Sequence, residues 1–452
     1  MRAAGWVGLL AIGCGPRLAA VEDGEWLPGG GATNTFTLGT NAFLRPADLL
    51  TPEHDSLFYA GNSFFSAAWV EAPASTENRD GLGPIFNARS CSACHARDGR
   101  AAPPEDGQGP MIGLLFRISG PDGQPDPVYG GQLQDLGNPG VPAEVRPVAT
   151  WAERAGTFAD GEPWSLGVPD YRFEDPAYGP LDPALQVSPR IAPQMIGLGL
   201  LEAIPEDALV ARADPDDADG DGISGRVQRS IDAETGALAM GRFGWKGDAP
   251  TVLHQVAGAF AGDLGITSTL VPTDDCTPAQ EACATALDGG DPELDPDVLA
   301  RVALYSRALA VPVRRSWEDP EVLRGKWLFS RLGCDACHTP SHTTGPFPPL
   351  PELEGQAIWP YTDLLLHDMG PDLADDRPLG EASGTEWKTP PLWGLGLIPD
   401  VNGHSRYLHD GRARNLEEAV LWHGGEAEEA RDAYTELDAG DRAAVLTFLA
   451  DL

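Results

Sequence analysis

The chain has 452 residues, with 68 acidic against 31 basic and a net charge of −37 at neutral pH. That length can bury two or three apolar cores, and that charge excludes a polyanion such as nucleic acid as a partner. The 54 glycines and 42 prolines predict long irregular connections between helices.

The opening MRAAGWVGLLAIGCGPRLAA carries one early arginine, a short apolar run and small residues beyond it. This is the pattern of an export signal over residues 1–20, too short to span a bilayer. Cleavage after Ala19-Ala20 releases a soluble protein, whereas processing at Cys14 leaves a lipid anchor. No later segment has the unbroken apolar length of a transmembrane helix, so a periplasmic or otherwise extracytoplasmic location is expected.

Cys91, Cys94 and His95 spell Cys-x-x-Cys-His, and Cys334, Cys337 and His338 spell it again. Two thiols at this spacing can form thioethers with both vinyl groups of one haem, and the histidine that follows then ligates the iron. A zinc site would need a second Cys or His pair close by, and only His342 stands near either copy. Two covalently bound c-type haems are therefore expected. A phenylalanine, Phe86 or Phe329, precedes each motif at the same spacing. In the second copy Gly325 and Phe329 share one helical face, as in the amino-terminal helix of a cytochrome c.

Between 110 and 188, apolar residues alternate around Gly-Pro and Asp-Gly turns, which predicts a β-hairpin insertion. RIAPQMIGLGL at 190–200 matches KTPPLWGLGL at 388–397 and extends the repeat. Asp217, Asp219 and Asp221 fall at positions 1, 3 and 5 of an acidic loop over 217–228 with Gly222 at position 6, the spacing of a calcium loop in which Ile223 offers its carbonyl. Gln228 replaces the usual acid at position 12, so a structural Ca2+ held by a partial loop is expected. Cys276 and Cys283 suit a loop disulfide in an oxidising compartment. Apolar spacing over 296–313 predicts a helix linking two halves, with a boundary near 315. The tail DRAAVLTFLADL predicts a closing helix.

The fold expected is mainly α and loop-rich: two cytochrome c-like haem domains, 40–315 and 316–452, with the β-hairpin insertion in the first. No histidine lies between His95 and His254, which predicts an open, reactive iron at the first haem. A distal acid/base is then required, and Glu202 is the candidate, with Arg190 as a cationic helper and Gln132 as a further choice. Trp245 is the ring first expected between the haems; Trp151, Trp393 and Trp422 are its rivals.

GNSFF, ASTENRDGLGPIFNARSCSACH, DGDGISGR, GRFGWKG, GCDACH, YTDLLLHDMGP and VNGHSRYLHDGRARNLEEAVLWHGGEA, in this order from about residue 40 to the end, resemble the dihaem oxidoreductase family of peroxidase-like proteins, also labelled thiol oxidoreductases. The family is distantly related to bacterial dihaem cytochrome c peroxidases. In those peroxidases a similar carboxy-terminal motif places a methionine on the distal side of the second haem; here His423 stands there, with Met369 as the rival ligand. The resemblance implies a peroxidase-like enzyme that draws electrons from a small cytochrome or another redox protein and reduces a small peroxide. An electron carrier with both irons closed, and an oxidase acting on thiols or another substrate, are the alternatives.

Overall fold

The computed structural model describes residues 17–76 and 79–452. Cys14 and most of the export signal lie outside them. Among the described residues no helix is long and apolar enough to cross a membrane.

Two crossed helix pairs organise the chain. Each of the four helices begins at a side-chain cap: Thr51 for Pro52–Ser66, Asp295 for Pro296–Ala308, Asp319 for Pro320–Arg331 and Asp438 for Ala439–Asp451. In the first three, proline follows the cap at the first helical position, where no amide hydrogen is needed. Pro52–Ser66 crosses Pro296–Ala308 at Gly61, where a Cβ would stand 2.2 Å from the Arg301 carbonyl oxygen. Pro320–Arg331 crosses Ala439–Asp451 at Gly325, where a Cβ would stand 2.0 Å from that of Ala444. Only glycine permits either crossing.

One turn beyond each glycine a phenylalanine packs on a motif histidine. Phe65 lies 6.3 Å from His95 and Phe329 lies 6.2 Å from His338, centroid to centroid. Phe65 therefore holds the place expected for Phe86, which is buried in a two-residue strand paired with Leu136. Within the 296–313 region, Pro296–Ala308 packs as the closing partner of Pro52–Ser66. The GLGL segments dock alike. Gly197 and Gly394, both at positive φ, donate to the carbonyls of Leu309 at 2.9 Å and Leu452 at 2.8 Å, each just beyond its closing helix.

The fold is mixed rather than mainly α. Strands Arg146–Thr157 and Pro163–Glu174 form a long antiparallel hairpin, and Leu114–Ser119 lies between Gln132–Leu133 and Gln186–Ile191 in a three-stranded sheet. The expected insertion is thus a hairpin and a sheet together. Alternation sorts the sheet's faces: Leu114, Phe116 and Ile118 join a buried cluster with Tyr129, Leu133 and Ile191, while Leu115, Arg117 and Arg190 face the opposite side. The hairpin reaches across to the second half, where Arg154 pairs with Asp372, Glu153 with Arg414 and Asp160 with Arg442. A single buried apolar cluster runs through both halves and includes Phe58, Val302, Phe329 and Phe448. Cys276 and Cys283 form the expected disulfide.

Candidate functional site

Both Cys-x-x-Cys-His motifs open on one largely apolar cavity, lined by Cys91, Cys94, His95, Cys334, Cys337 and His338. The four thiols bond to no other cysteine, and burial pushes those of Cys91, Cys94 and Cys334 up to about 12, so they are protonated at neutral pH. His95 Nδ1 donates to the Pro193 carbonyl at 2.7 Å, and His338 Nδ1 donates to that of Tyr361 at 3.0 Å. These bonds fix the tautomer and leave each Nε2 with a free lone pair. Burial holds both rings neutral down to about 4, with His423 adding to the effect at His338. His342, the residue a zinc site would need, is tied instead to the Thr362 carbonyl at 2.7 Å. Two thiols and one imidazole nitrogen at each end of an apolar cavity fit a c-type haem and do not fit closed tetrahedral zinc.

The matching positions on the cavity wall differ between the halves. His423 lines the cavity, donates from Nδ1 to the Ala419 carbonyl at 2.7 Å and so turns Nε2 free. It follows a short helix, Leu416–Leu421, capped by Asn415, and a loop closed by pairing of Tyr407 with Ala413. The first half repeats this unit: Phe243 pairs with Ala249, and Thr251 caps the helix Val252–Leu264. The two copies run in register from Arg242 and Arg406 onward, which sets Gly244 against Leu408, Trp245 against His409 and Ala259 against His423. Gly244 and Leu408 even share positive φ, 77° and 67°. Ala259 lines the cavity on a stripe with Val252, Gln255, Val256 and Asp263. This second repeat is present in GRFGWKGDAPTVLHQVAGA and SRYLHDGRARNLEEAVLWH, but few identities carry it. Met369, the rival ligand, also lines the cavity; its carbonyl packs against Gly424.

Trp245 lines the cavity on which both motifs open. Its Nε1 donates to the Ile191 carbonyl at 2.8 Å, and its ring meets His409 edge-on at 6.5 Å. His409 in turn stacks on Trp387 at 3.8 Å and 12°. All three line the cavity, whereas Trp151, Trp393 and Trp422 do not. Burial keeps His409 neutral, its protonation held down to about 3. His367 is the opposite case: burial opposes its charge, but hydrogen bonds to Asp363, Cys337 and Glu426 outweigh burial and push it up to about 12.

Glu202 does not reach the cavity. Arg307 binds both its carboxylate oxygens, at 2.7 and 2.8 Å, which makes it one half of a buried ion pair. Arg190 does line the cavity. Gln132 lies behind the wall and donates from Nε2 to Asp263 Oδ1 at 3.0 Å. Asp263 is an acid of the cavity wall that no local pattern marks. It sits one turn beyond Ala259, lines the cavity, and has its carboxyl raised by burial against the opposing charge of Arg117.

In the acidic loop the carboxylates of Asp214, Asp217 and Asp219 lie within 4.8 Å of one another. Asp214 thus takes the place expected for Asp221, whose Oδ1 accepts from the Ile223 amide at 2.9 Å. Gln228 turns away, donating to the Lys246 and Leu379 carbonyls. Within the loop, Ser224 donates to Glu426 at 2.5 Å, which connects it to His367.

No curated protein matches the chain. Among solved structures it is similar to hydrazine synthase of Kuenenia stuttgartiensis, determined under 20 bar of xenon, at 14% identity over 97% of this chain and 100% of that one, with a TM-score of 0.33. So low a score carries no argument. A family profile described as "Di-haem oxidoreductase, putative peroxidase" matches residues 26–110 and 181–452 and passes over most of the β insertion. With this match across most of its length, the chain belongs to the di-haem oxidoreductase family.

Proposed function

We propose that the protein is an exported c-type dihaem oxidoreductase that reduces a peroxide at its first haem and stores electrons at its second. Cys91, Cys94 and His95 hold one haem, and Cys334, Cys337, His338 and His423 hold the other. The observation that carries this reading is the exchange of His423 for Ala259 between equivalent positions of the two halves. A methyl group cannot ligate iron. Iron with one protein ligand supplies a site where peroxide can bind and be reduced, whereas iron with two supplies electron transfer alone.

The residues around Ala259 suit the proton side of that reaction. Asp263, with its raised carboxyl, takes the proton from one peroxide oxygen and returns it to the leaving oxygen, while Arg117 opposes the developing negative charge. The balance is one peroxide, two protons and two electrons, the electrons coming from an external one-electron donor protein. Trp245 and His409, 6.5 Å apart on the cavity wall, are the rings through which electrons would pass between the haems. A Ca2+ at Asp214, Asp217 and Asp219 would offset three crowded carboxylates.

The ferric holoprotein tests the assignment. One high-spin haem that shifts on adding cyanide or peroxide is expected, and Ala259→His should convert it to low spin and abolish peroxide turnover. Two low-spin haems in the unaltered protein would make it an electron carrier instead.

A further inference from the structure

A charged ring stands against the second Cys-x-x-Cys-His motif. His367 is buried on the strand Leu366–Asp368, which pairs with Glu386–Lys388. Its Nε2 donates to Asp363 Oδ2 at 2.9 Å, and its Nδ1 donates to Glu426 Oε2 at 2.7 Å. Ionised carboxylates only accept, so both ring nitrogens carry hydrogen and the ring is an imidazolium. Each acid is held in turn. Asp363 donates its amide to the Cys337 carbonyl at 3.1 Å and accepts on Oδ1 from the Leu365 amide at 3.0 Å. Glu426 accepts on Oε1 from Ser224 at 2.5 Å and from the Asp368 amide at 3.3 Å. Burial opposes its charge, but the hydrogen bonds from His367 and Ser224 outweigh burial and keep it below the usual carboxylate range.

The clamped ring reaches the motif itself. His367 Nδ1 stands 3.5 Å from Cys337 Sγ, and among the described residues this is the one motif sulfur with a side chain in hydrogen-bond reach. As a thioether that sulfur has no hydrogen to give and can only accept. The consequence for a haem held there has a definite sign. Ferric iron carries one more positive charge than ferrous iron, so a buried cation close by penalises the ferric state and raises the reduction potential. A hydrogen bond to the thioether acts in the same direction by drawing electron density from the ring. Two imidazole ligands, His338 and His423, forgo the methionine that raises the potential of many c-type haems, and the imidazolium offsets that loss.

We propose that His367 sets the reduction potential of the second haem: its imidazolium, clamped by Asp363 and Glu426 against the Cys337 sulfur, raises that potential and eases filling of the haem by a one-electron donor. His367 acts through the thioether and touches no substrate. The proposal rests on attachment of a haem at Cys334 and Cys337, and it does not depend on peroxide turnover.

The test is a redox titration of the holoprotein, with the absorbance of each haem followed separately, for the wild type, His367→Gln, His367→Lys and Glu426→Gln. It is run below the pH at which Lys388, another buried cation facing Asp363, gives up its proton; burial holds that group down to about 8. His367→Gln should shift the one-electron equilibrium of the second haem at least tenfold toward the ferric state, a fall of 59 mV, and leave the first haem in place. His367→Lys restores a positive charge and should recover part of that fall. Glu426→Gln removes a negative charge from the same cluster and should raise the midpoint instead. Opposite signs from two substitutions on one hydrogen bond are not what a loosened structure would give, so a fall in both overturns the proposal. A shift below tenfold or a rise in His367→Gln also overturns it, while mass spectrometry that finds haem on the Cys334–Cys337 peptide keeps the attachment reading standing. A wild-type peptide without haem would instead remove the attachment itself. Should His367→Gln fail to fold, Glu426→Gln carries the test, and a midpoint that does not rise overturns the proposal equally.

Discussion

Ala259 and His423 differ by an imidazole ring, and in the function proposed above that difference divides the labour between the two ends of the cavity. Beside Ala259, Asp263 is the acid whose removal should matter most. Asp263→Asn keeps the shape but cannot carry a proton, so peroxide turnover should fall roughly 100- to 10,000-fold with haem content unchanged. Unaltered turnover would remove it from the mechanism. Glu202→Gln should leave the shape of the pH–rate profile intact, since its carboxylate is spent on Arg307. His367 makes a prediction about pH. Its folded protonation lies far above the ordinary value of about 6.5, so its contribution to stability is complete below that pH and is lost as pH rises toward about 12. The stability gap between wild type and His367→Gln should narrow on going from neutral to strongly alkaline pH in denaturant titrations. The motif cysteines and histidines were legible because their chemistry is set by spacing alone. Glu202 was misread because an acid after a helix start looks the same whether it faces a cavity or an arginine distant in the chain.

At the scale of elements, the two crossings at Gly61 and Gly325 hold Phe65 and Phe329 against the motif histidines. A methyl group at Gly325 would meet the Ala444 carbonyl and the Phe448 Cβ. Gly325→Ala should therefore cost roughly 1–3 kcal/mol of stability by overpacking, read in denaturant titrations. Gly333→Ala is a less useful comparison, since its positive φ adds backbone strain. The match of GLGPIFNARSCSACH to VLRGKWLFSRLGCDACH pointed to Phe86 and not to this element. Phe86 mimics Phe329 in distance from the motif, but a crossing helix is recognised by its glycine, and GNSFF carries both glycine and phenylalanine at helical spacing. The closing role of Pro296–Ala308 was hidden for another reason: helical periodicity shows that a face is apolar and not which helix covers it.

In the whole molecule, the halves are tied by the β hairpin, by the continuous apolar cluster and by the Ser224–Glu426 contact beside the acidic loop. A cation at that loop would brace the last of these. Asp219→Ala should lower the melting temperature when calcium is supplied and leave it unchanged in chelator. Equal loss in both conditions would assign the loop a turn role only. The chain's own letters were enough to mark two Cys-x-x-Cys-His motifs, a duplicated plan, an insertion and a disulfide, since each depends on residues close together or on a repeated string. That Ala259 holds the position equivalent to His423, that Asp263 lines the cavity and that Glu202 is turned to Arg307 emerged only on folding. Those properties belong to side chains brought together from distant segments, and no local pattern records what stands opposite them.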